Sequence, residues 1–311
     1  MADGKHISKA PLLYNRLMPA DTKNLPGLLF ALTLCAGTAA AIAVGLIAAP
    51  TALGQCHDDA IEFTTDGTSG NEVRFYISSR RTIEASVKLT CDGLDNLTPS
   101  HPLPYTFVVN HEYNHYEVLR LAQTNSNQSW HWGAYHYKFV MGIPSNLPTV
   151  DYVYSLPYSP ANHFYIGQSY FGTRSHAKGT PDQYAVDITM PENTPILAAR
   201  GGTVIAYRDD SHWGGDSQSF KECCNYVHIK HNDGTYAAYV HLRQNGCNVK
   251  LGQVVAPGTI IGYSGSTGWA SCPHLHFMVY RVMNPPEVQT LPFRTNTSKG
   301  VVTQLIEGEQ Y

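Results

Sequence analysis

From residue 73 onward the chain is written in short runs of β-branched and aromatic residues closed by glycine, proline or asparagine, and residues 158–311 carry no sustained helical period. This pattern restricts the chain to an all-β reading. The runs 73–77, 83–89, 105–109, 116–121 and 135–141 are separated by turn-prone segments such as Asp66-Gly67-Thr68-Ser69-Gly70 and Asn125-Ser126-Asn127. That spacing fits a β-sandwich-like unit or small barrel. Proline interrupts the pattern at Leu156-Pro157-Tyr158-Ser159-Pro160, and glycine turns recur beyond it. With 311 residues there is room for about two domains. The expected division is a β-rich accessory domain over 55–157 and a second all-β domain over 158–311.

Chemistry-bearing residues gather in the second half. Pro273-His274-Leu275-His276-Phe277 opens a strand-like run with histidines at i and i+2. Residues two apart on a strand share a face, so both imidazoles enter one site. Such a pair makes half of a zinc site, or sets one ligand beside one proton-transfer group. Asn225-Tyr226-Val227-His228-Ile229 turns at Asn232-Asp233-Gly234, a hairpin signal, and returns to Tyr239-Val240-His241-Leu242. Tyr184-Ala185-Val186-Asp187-Ile188 places a carboxylate in an apolar run, which is costly unless something neutralises it. A metal ion is one means.

These segments occur in the order of a known family. Ala185-Val186-Asp187, Thr194-Pro195-Ile196 leading to Gly201-Gly202-Thr203-Val204, Tyr239-Val240-His241-Leu242, Gly252-Gln253-Val254 leading to Gly262, Gly265-Ser266-Thr267-Gly268 and Pro273-His274-Leu275-His276-Phe277 together span roughly the last half of the chain. In them the chain resembles the lysostaphin/LytM-type zinc metallopeptidases, which include the β-lytic peptidases. The resemblance implies an antiparallel β-sheet catalytic domain, a duplicated hybrid motif with one Zn²⁺ on the floor of an open groove. It implies Asp187 and His276 as zinc ligands and His241 and His274 as the catalytic histidines. The implied reaction is hydrolysis of peptidoglycan peptides, cross-links or stems, by zinc-activated water.

One position departs from the family pattern. The family usually has its first ligand in His-x-x-x-Asp, but the residue four before Asp187 is Gln183. The nearest upstream histidine is His176, separated from the Asp187 run by the turn-rich Ala177-Lys178-Gly179-Thr180-Pro181-Asp182. Lengthening a loop costs only tenths to about one kcal/mol, so His176 is the expected ligand, in a variant subgroup with a shifted first histidine. Gln183 as ligand, or no first ligand at all, is the alternative. The functional alternative follows: a catalytically inactive LytM-like module that binds cell wall or regulates other hydrolases.

The remaining features set the compartment. Residues 28–49 form an uncharged apolar run long enough to span a bilayer, with Lys5, Lys9, Arg16 and Lys23 before it and Asp58 and Asp59 after it. Residues 1–24 then stay in the cytoplasm and the rest is exported, to the periplasm or cell envelope of a bacterium. Ala52-Leu53-Gly54 suits signal-peptidase cleavage, so 1–54 reads either as a cytoplasmic n-region plus signal peptide or as a retained inner-membrane anchor. Cys56, Cys91, Cys223, Cys224, Cys247 and Cys272 lie outside this run, an even number that predicts disulfides: Cys56 with Cys91, and Cys223 or Cys224 with Cys247 and Cys272. A net charge of −3 gives no electrostatic reason to expect nucleic acid. His111, His115, His131 and His136, with Trp130 and Trp132, read as strand packing with surface histidines rather than a ligand site.

Overall fold

In the computed structural model the chain is described over residues 58–67 and 70–311. The expected signal or anchor segment, 28–49, lies outside the described residues. Among the described residues no helix is long and apolar enough to cross a membrane. Strands dominate, and one six-residue 3₁₀ helix, Gln218–Cys223, is formed.

The second half builds a ten-stranded sheet. Its main path runs Val254–Val255, Gly202–Arg208, Asn225–Lys230, Tyr236–Cys247, His274–Val282, Val186–Thr189 and Tyr165–Gln168, with antiparallel neighbours throughout. The hairpin between Asn225–Lys230 and Tyr236–Cys247 turns where the sequence places it. Gly234 takes a φ of +75°, which glycine adopts without the penalty a Cβ brings. Asp233 Oδ1 accepts hydrogen bonds from the Thr235 amide and hydroxyl, and Arg200 holds its Oδ2.

Alternation along the central strands divides this sheet between two cores. Leu275, Phe277 and Val279, with Val186, Ile188, Ala237 and Tyr239, bury into one core, closed by Tyr154, Tyr158, Phe293, Leu305 and Tyr311. Met278, Tyr280 and Val282, with Tyr236 and Ala238, face the other way into a core shared with residues 60–141. A strand buried on both faces reads as a continuous apolar run, and the sequence here reads that way. His274 and His276 belong to the second face by period.

Residues 61–141 supply two smaller sheets around that second core. One orders Ile61–Asp66, Glu72–Ser79, Tyr116–Gln123 and Leu97–Pro99; the other orders Tyr105–Val109, Ala85–Cys91 and Tyr135–Met141. Phe63 and Tyr137 meet at 4.4 Å between ring centroids, and Phe75 meets Tyr135 at 5.4 Å. The five expected runs all overlap strands: 105–109 and 135–141 coincide with them, and no end of the other three is displaced by more than two residues. This layer is fastened to the large sheet by polar contacts as well. Tyr280 Oη donates to Met141 O at 3.0 Å, Lys230 Nζ lies 2.6 Å from Glu84 Oε1, and Tyr236 Oη donates to Glu84 Oε2 at 2.9 Å. Further along the chain, Val153–Ser155 lies parallel to Arg294–Thr297.

The expected thiol pairing is not what the structure holds. Cys91, Cys224, Cys247 and Cys272 are free, whereas Cys223 is disulfide-bonded. Each free thiol sits in a separate local setting. Cys247 Sγ donates to Arg208 O at 3.3 Å, Cys224 packs under Gly268, and Cys272 is exposed in the turn before His274. The tryptophan and histidine group of the first sheets packs as expected: Trp132 meets Phe75 edge-on at 5.4 Å and His115 stacks on Tyr76 at 4.1 Å.

Because Tyr236, Met278, Tyr280 and Val282 bury against residues 60–141, a fragment of residues 158–311 should expose an apolar sheet face. It should be less soluble and melt lower than the chain from residue 58 onward, measured by sedimentation and thermal unfolding. Equal melting temperatures would contradict the shared core.

Candidate metal centre

Strand register brings the first two residues together. Asp187 lies directly opposite His276 across the Val186–Thr189 and His274–Val282 pair. His276 Nδ1 donates to Asp187 Oδ1 at 2.9 Å. His176 enters from the loop before the strand, fully buried, with its Nε2 3.3 Å from Asp187 Oδ1 and 3.4 Å from His276 Nδ1. Its Nδ1 lies 3.3 Å from Ser169 O, which orients the ring so that Nε2 is the nitrogen aimed at Asp187 and His276.

The connecting loop closes on itself. Thr180 Oγ1 donates to Ala177 O at 2.7 Å, and the Ala185 amide donates to Asp182 O at 2.8 Å. Gln183 is spent here: its Oε1 accepts from the Gly179 amide at 3.1 Å, inside the loop.

His176, Asp187 and His276 are the three-residue group among the described residues whose ligand atoms converge, all within 4.8 Å of one another. Two ligands each about 2.0–2.1 Å from a tetrahedral Zn²⁺ stand about 3.3–3.4 Å apart. The observed separations of 2.9, 3.3 and 3.4 Å bracket that value. Two imidazoles and one carboxylate also form the donor set of known catalytic zinc sites that keep a position open. The residues present therefore fit zinc.

Two more imidazoles border this group. His274 Nδ1 donates to Cys272 O at 2.8 Å, and its Nε2 is 3.8 Å from Asp187 Oδ1. His241 stands 4.5 Å from the His274 ring and 6.0 Å from the His276 ring, between centroids. It occupies a bulge: Asn225 pairs with Leu242 and Tyr226 with Val240, leaving His241 as the extra residue. Its φ is +67°, left-handed backbone that non-glycine residues rarely adopt. Bulges redirect side chains beside functional sites. The Thr267 carbonyl receives His241 Nδ1–H at 2.6 Å, while Thr267 Oγ1 accepts from the Asn225 amide at 2.9 Å and donates to Leu242 O at 2.7 Å. His241 is thus held in a fixed orientation with Nε2 as its free nitrogen.

Residues 181–288 match the model of peptidase family M23. Over this segment the chain is similar to that family. Over 120 residues the chain is 35% identical to lysostaphin of Staphylococcus simulans, covering 38% of this chain and 22% of that protein. Over 122 residues it is 31% identical to the peptidoglycan DD-endopeptidase ShyA of Vibrio cholerae, covering 39% of this chain and 26% of that protein. The chain spans about a quarter of the length of these curated relatives. The crystallised catalytic domain of S. simulans lysostaphin is 27% identical, with a TM-score of 0.29 and coverage of 41% of this chain and 94% of that one.

Within the matched segment and the loop before it, all five expected site residues come together, and Gln183 does not join them. His176 precedes the matched segment, so geometry alone places it. Sequence reasoning missed Gln168, whose Nε2 donates to Asp187 Oδ2 at 2.9 Å. The available signal was a polar residue at a buried position of the alternating strand Tyr165–Gln168.

Electrostatics follow from this packing. Burial alone would raise Asp187, but hydrogen bonds from His176 and His276 hold its carboxyl well below the usual range. Burial opposes charge on His276 as well, and Asp187 outweighs it, so His276 is raised. Burial, assisted by the charges of His274 and His276, pushes His241 down to about 3.

In metal-free protein the Asp187–His276 pair should therefore stabilise the fold within a defined window. A carboxyl held below 3.8 contributes above that pH and loses its contribution as pH falls through the folded value; an imidazole raised above 6.5 contributes below that pH and loses it as pH rises through the folded value. The melting-temperature gap between chelated wild type and chelated Asp187→Asn should be widest between 3.8 and 6.5 and shrink on both sides. A gap that does not vary with pH would contradict the pairing.

Proposed function

We propose that the chain is a zinc-dependent endopeptidase of the bacterial cell envelope that hydrolyses peptide bonds in peptidoglycan. The observation carrying this reading is the convergence of His176 Nε2, Asp187 Oδ1 and His276 Nδ1 at tetrahedral spacing beside two oriented imidazoles. The substrate class comes from similar proteins named for it, ShyA as a peptidoglycan DD-endopeptidase and ALE-1 of Staphylococcus capitis as a glycyl-glycine endopeptidase.

His176, Asp187 and His276 would hold Zn²⁺, which when bound would supply Lewis acidity and a nucleophilic water near neutral pH. The chain's own groups handle protons. His241 stays neutral because burial disfavours its charged form, and with Nδ1 committed to Thr267 O its Nε2 is the atom that accepts a proton from the attacking water. The same nitrogen returns that proton to the leaving amine. His274 presents Nε2 at the same edge of the cluster and, as an imidazolium with its Nδ1–H on Cys272 O, donates from Nε2–H to the carbonyl oxygen as negative charge develops there. Neither imidazole reorients, because each is tied to a backbone carbonyl.

His176→Ala, Asp187→Ala and His276→Ala should each lose bound zinc and hydrolysis together. His241→Ala and His274→Ala should keep stoichiometric zinc and lose roughly 10²–10⁴-fold in turnover. Zinc content by elemental analysis, with fragment release from purified peptidoglycan, reads both quantities. Wild type that binds wall without releasing fragments would establish the inactive-module reading instead, and a metal-free His241→Ala or His274→Ala protein would overturn the division of roles.

A further inference from the structure

Resting on the metallopeptidase reading, we propose that Gln168 is a positioning residue that locks two of the three metal ligands, Asp187 and His176, into one geometry. Gln168 is 4% exposed, and each end of its amide is committed in a different direction. Oε1 accepts from the backbone amides of Arg174 at 3.0 Å and Ser175 at 3.2 Å, the residues leading into His176. Nε2 donates to Asp187 Oδ2 at 2.9 Å and to Ser175 Oγ at 3.0 Å.

An amide has one acceptor end and one donor end, so this pattern fixes its orientation. Backbone N–H groups require the oxygen, and a carboxylate requires the NH₂. One side chain therefore joins the strand carrying Asp187 to the loop carrying His176. It also divides the Asp187 carboxylate: Oδ2 is taken by the amide, and Oδ1 is left facing His176, His274 and His276. Where both ligands lie on one strand, strand geometry fixes their spacing. Here the first histidine stands eleven residues ahead of the aspartate on a self-closed loop, and the Gln168 amide supplies the missing link.

Gln168 packs closely against Gly172. A Cβ on Gly172 would collide with Gln168 Cγ. In the strand pairing, Gln168 sits opposite Asp187, and the register shifts immediately afterwards, between Asp187 and Ile188. The bulge thus falls where the two side chains must meet.

Gln168→Glu is the discriminating variant. It preserves volume and the acceptor for the Arg174 and Ser175 amides, and replaces the donor facing Asp187 by a second carboxylate oxygen. If Gln168 only pins the loop, the variant keeps wild-type zinc affinity. If it positions the ligands, zinc affinity measured by competition with a chromogenic chelator should fall about 10–100-fold. The melting temperature of the chelated protein above pH 6 accompanies that measurement, and excess zinc should restore kcat with little change in KM. Gly172→Ala provides a second probe, since it displaces Gln168 without altering its chemistry; it too should weaken zinc, including if Gln168→Glu does not fold. Unchanged zinc affinity in both variants, or in the one that folds, overturns the proposal. Wild type that takes up no zinc overturns the metallopeptidase reading and this proposal with it.

Discussion

A carboxylate inside an apolar sheet governs the rest of this structure. Asp187 sits between Val186 and Ile188, both fully buried, on a strand flanked by two others. Leaving such a charge unpaired in the interior costs several kcal/mol, so its surroundings must supply donors or a cation. They supply His176, His276 and the Gln168 amide, with His274 at the margin. What neutralises the carboxylate is also what holds the donor atoms at the spacing of a tetrahedral ion. Site and charge compensation are one arrangement.

That arrangement depends on a sheet whose two faces are treated differently along its length. Leu275, Phe277 and Val279 fill one core, while Met278, Tyr280 and Val282 fill a second beneath the layer of residues 60–141. The polar end of the same strand, His274 and His276, continues the second face. The first sheets are therefore more than an appendage. They bury the apolar remainder of the face that carries the histidines and bond to it through Glu84, Met141 and Ile143.

Backbone strain is concentrated at one residue of this site. His241 takes a positive φ as the extra residue of a bulge, at the point where Tyr236–Cys247 leaves His274–Val282 and pairs with Ile260–Ser264. A left-handed non-glycine residue costs of order 1–3 kcal/mol and persists only where its neighbours over-determine it. Asn225, Thr267 and Leu242 do so, through hydrogen bonds that close around the bulge. The outcome is an imidazole brought to 4.5 Å from His274.

Local chemistry made much of this legible in the sequence. The period of two in His274-Leu275-His276, the Asn232-Asp233-Gly234 turn and the carboxylate amid Ala185-Val186-Asp187-Ile188 each depend on neighbours in the chain, and so they identify strand faces, a hairpin and a group needing compensation. The family match, 181–288, spans these segments. Partnerships set by register and loop closure had no such local sign. Nothing adjacent to Gln168 announces that it faces Asp187, and nothing in the turn-rich stretch after His176 announces that Gln183 caps it on Gly179. Parity of the cysteines suggested bridges, yet a disulfide requires two Cβ atoms about 3.8 Å apart and suitably aimed, and Cys91, Cys224, Cys247 and Cys272 stay free. Sequence determined which residues were candidates for metal binding and proton transfer, because side-chain type and strand period are local; the tertiary structure alone decided which atoms meet, because that follows from contacts up to a hundred residues apart, as between His176 and His276.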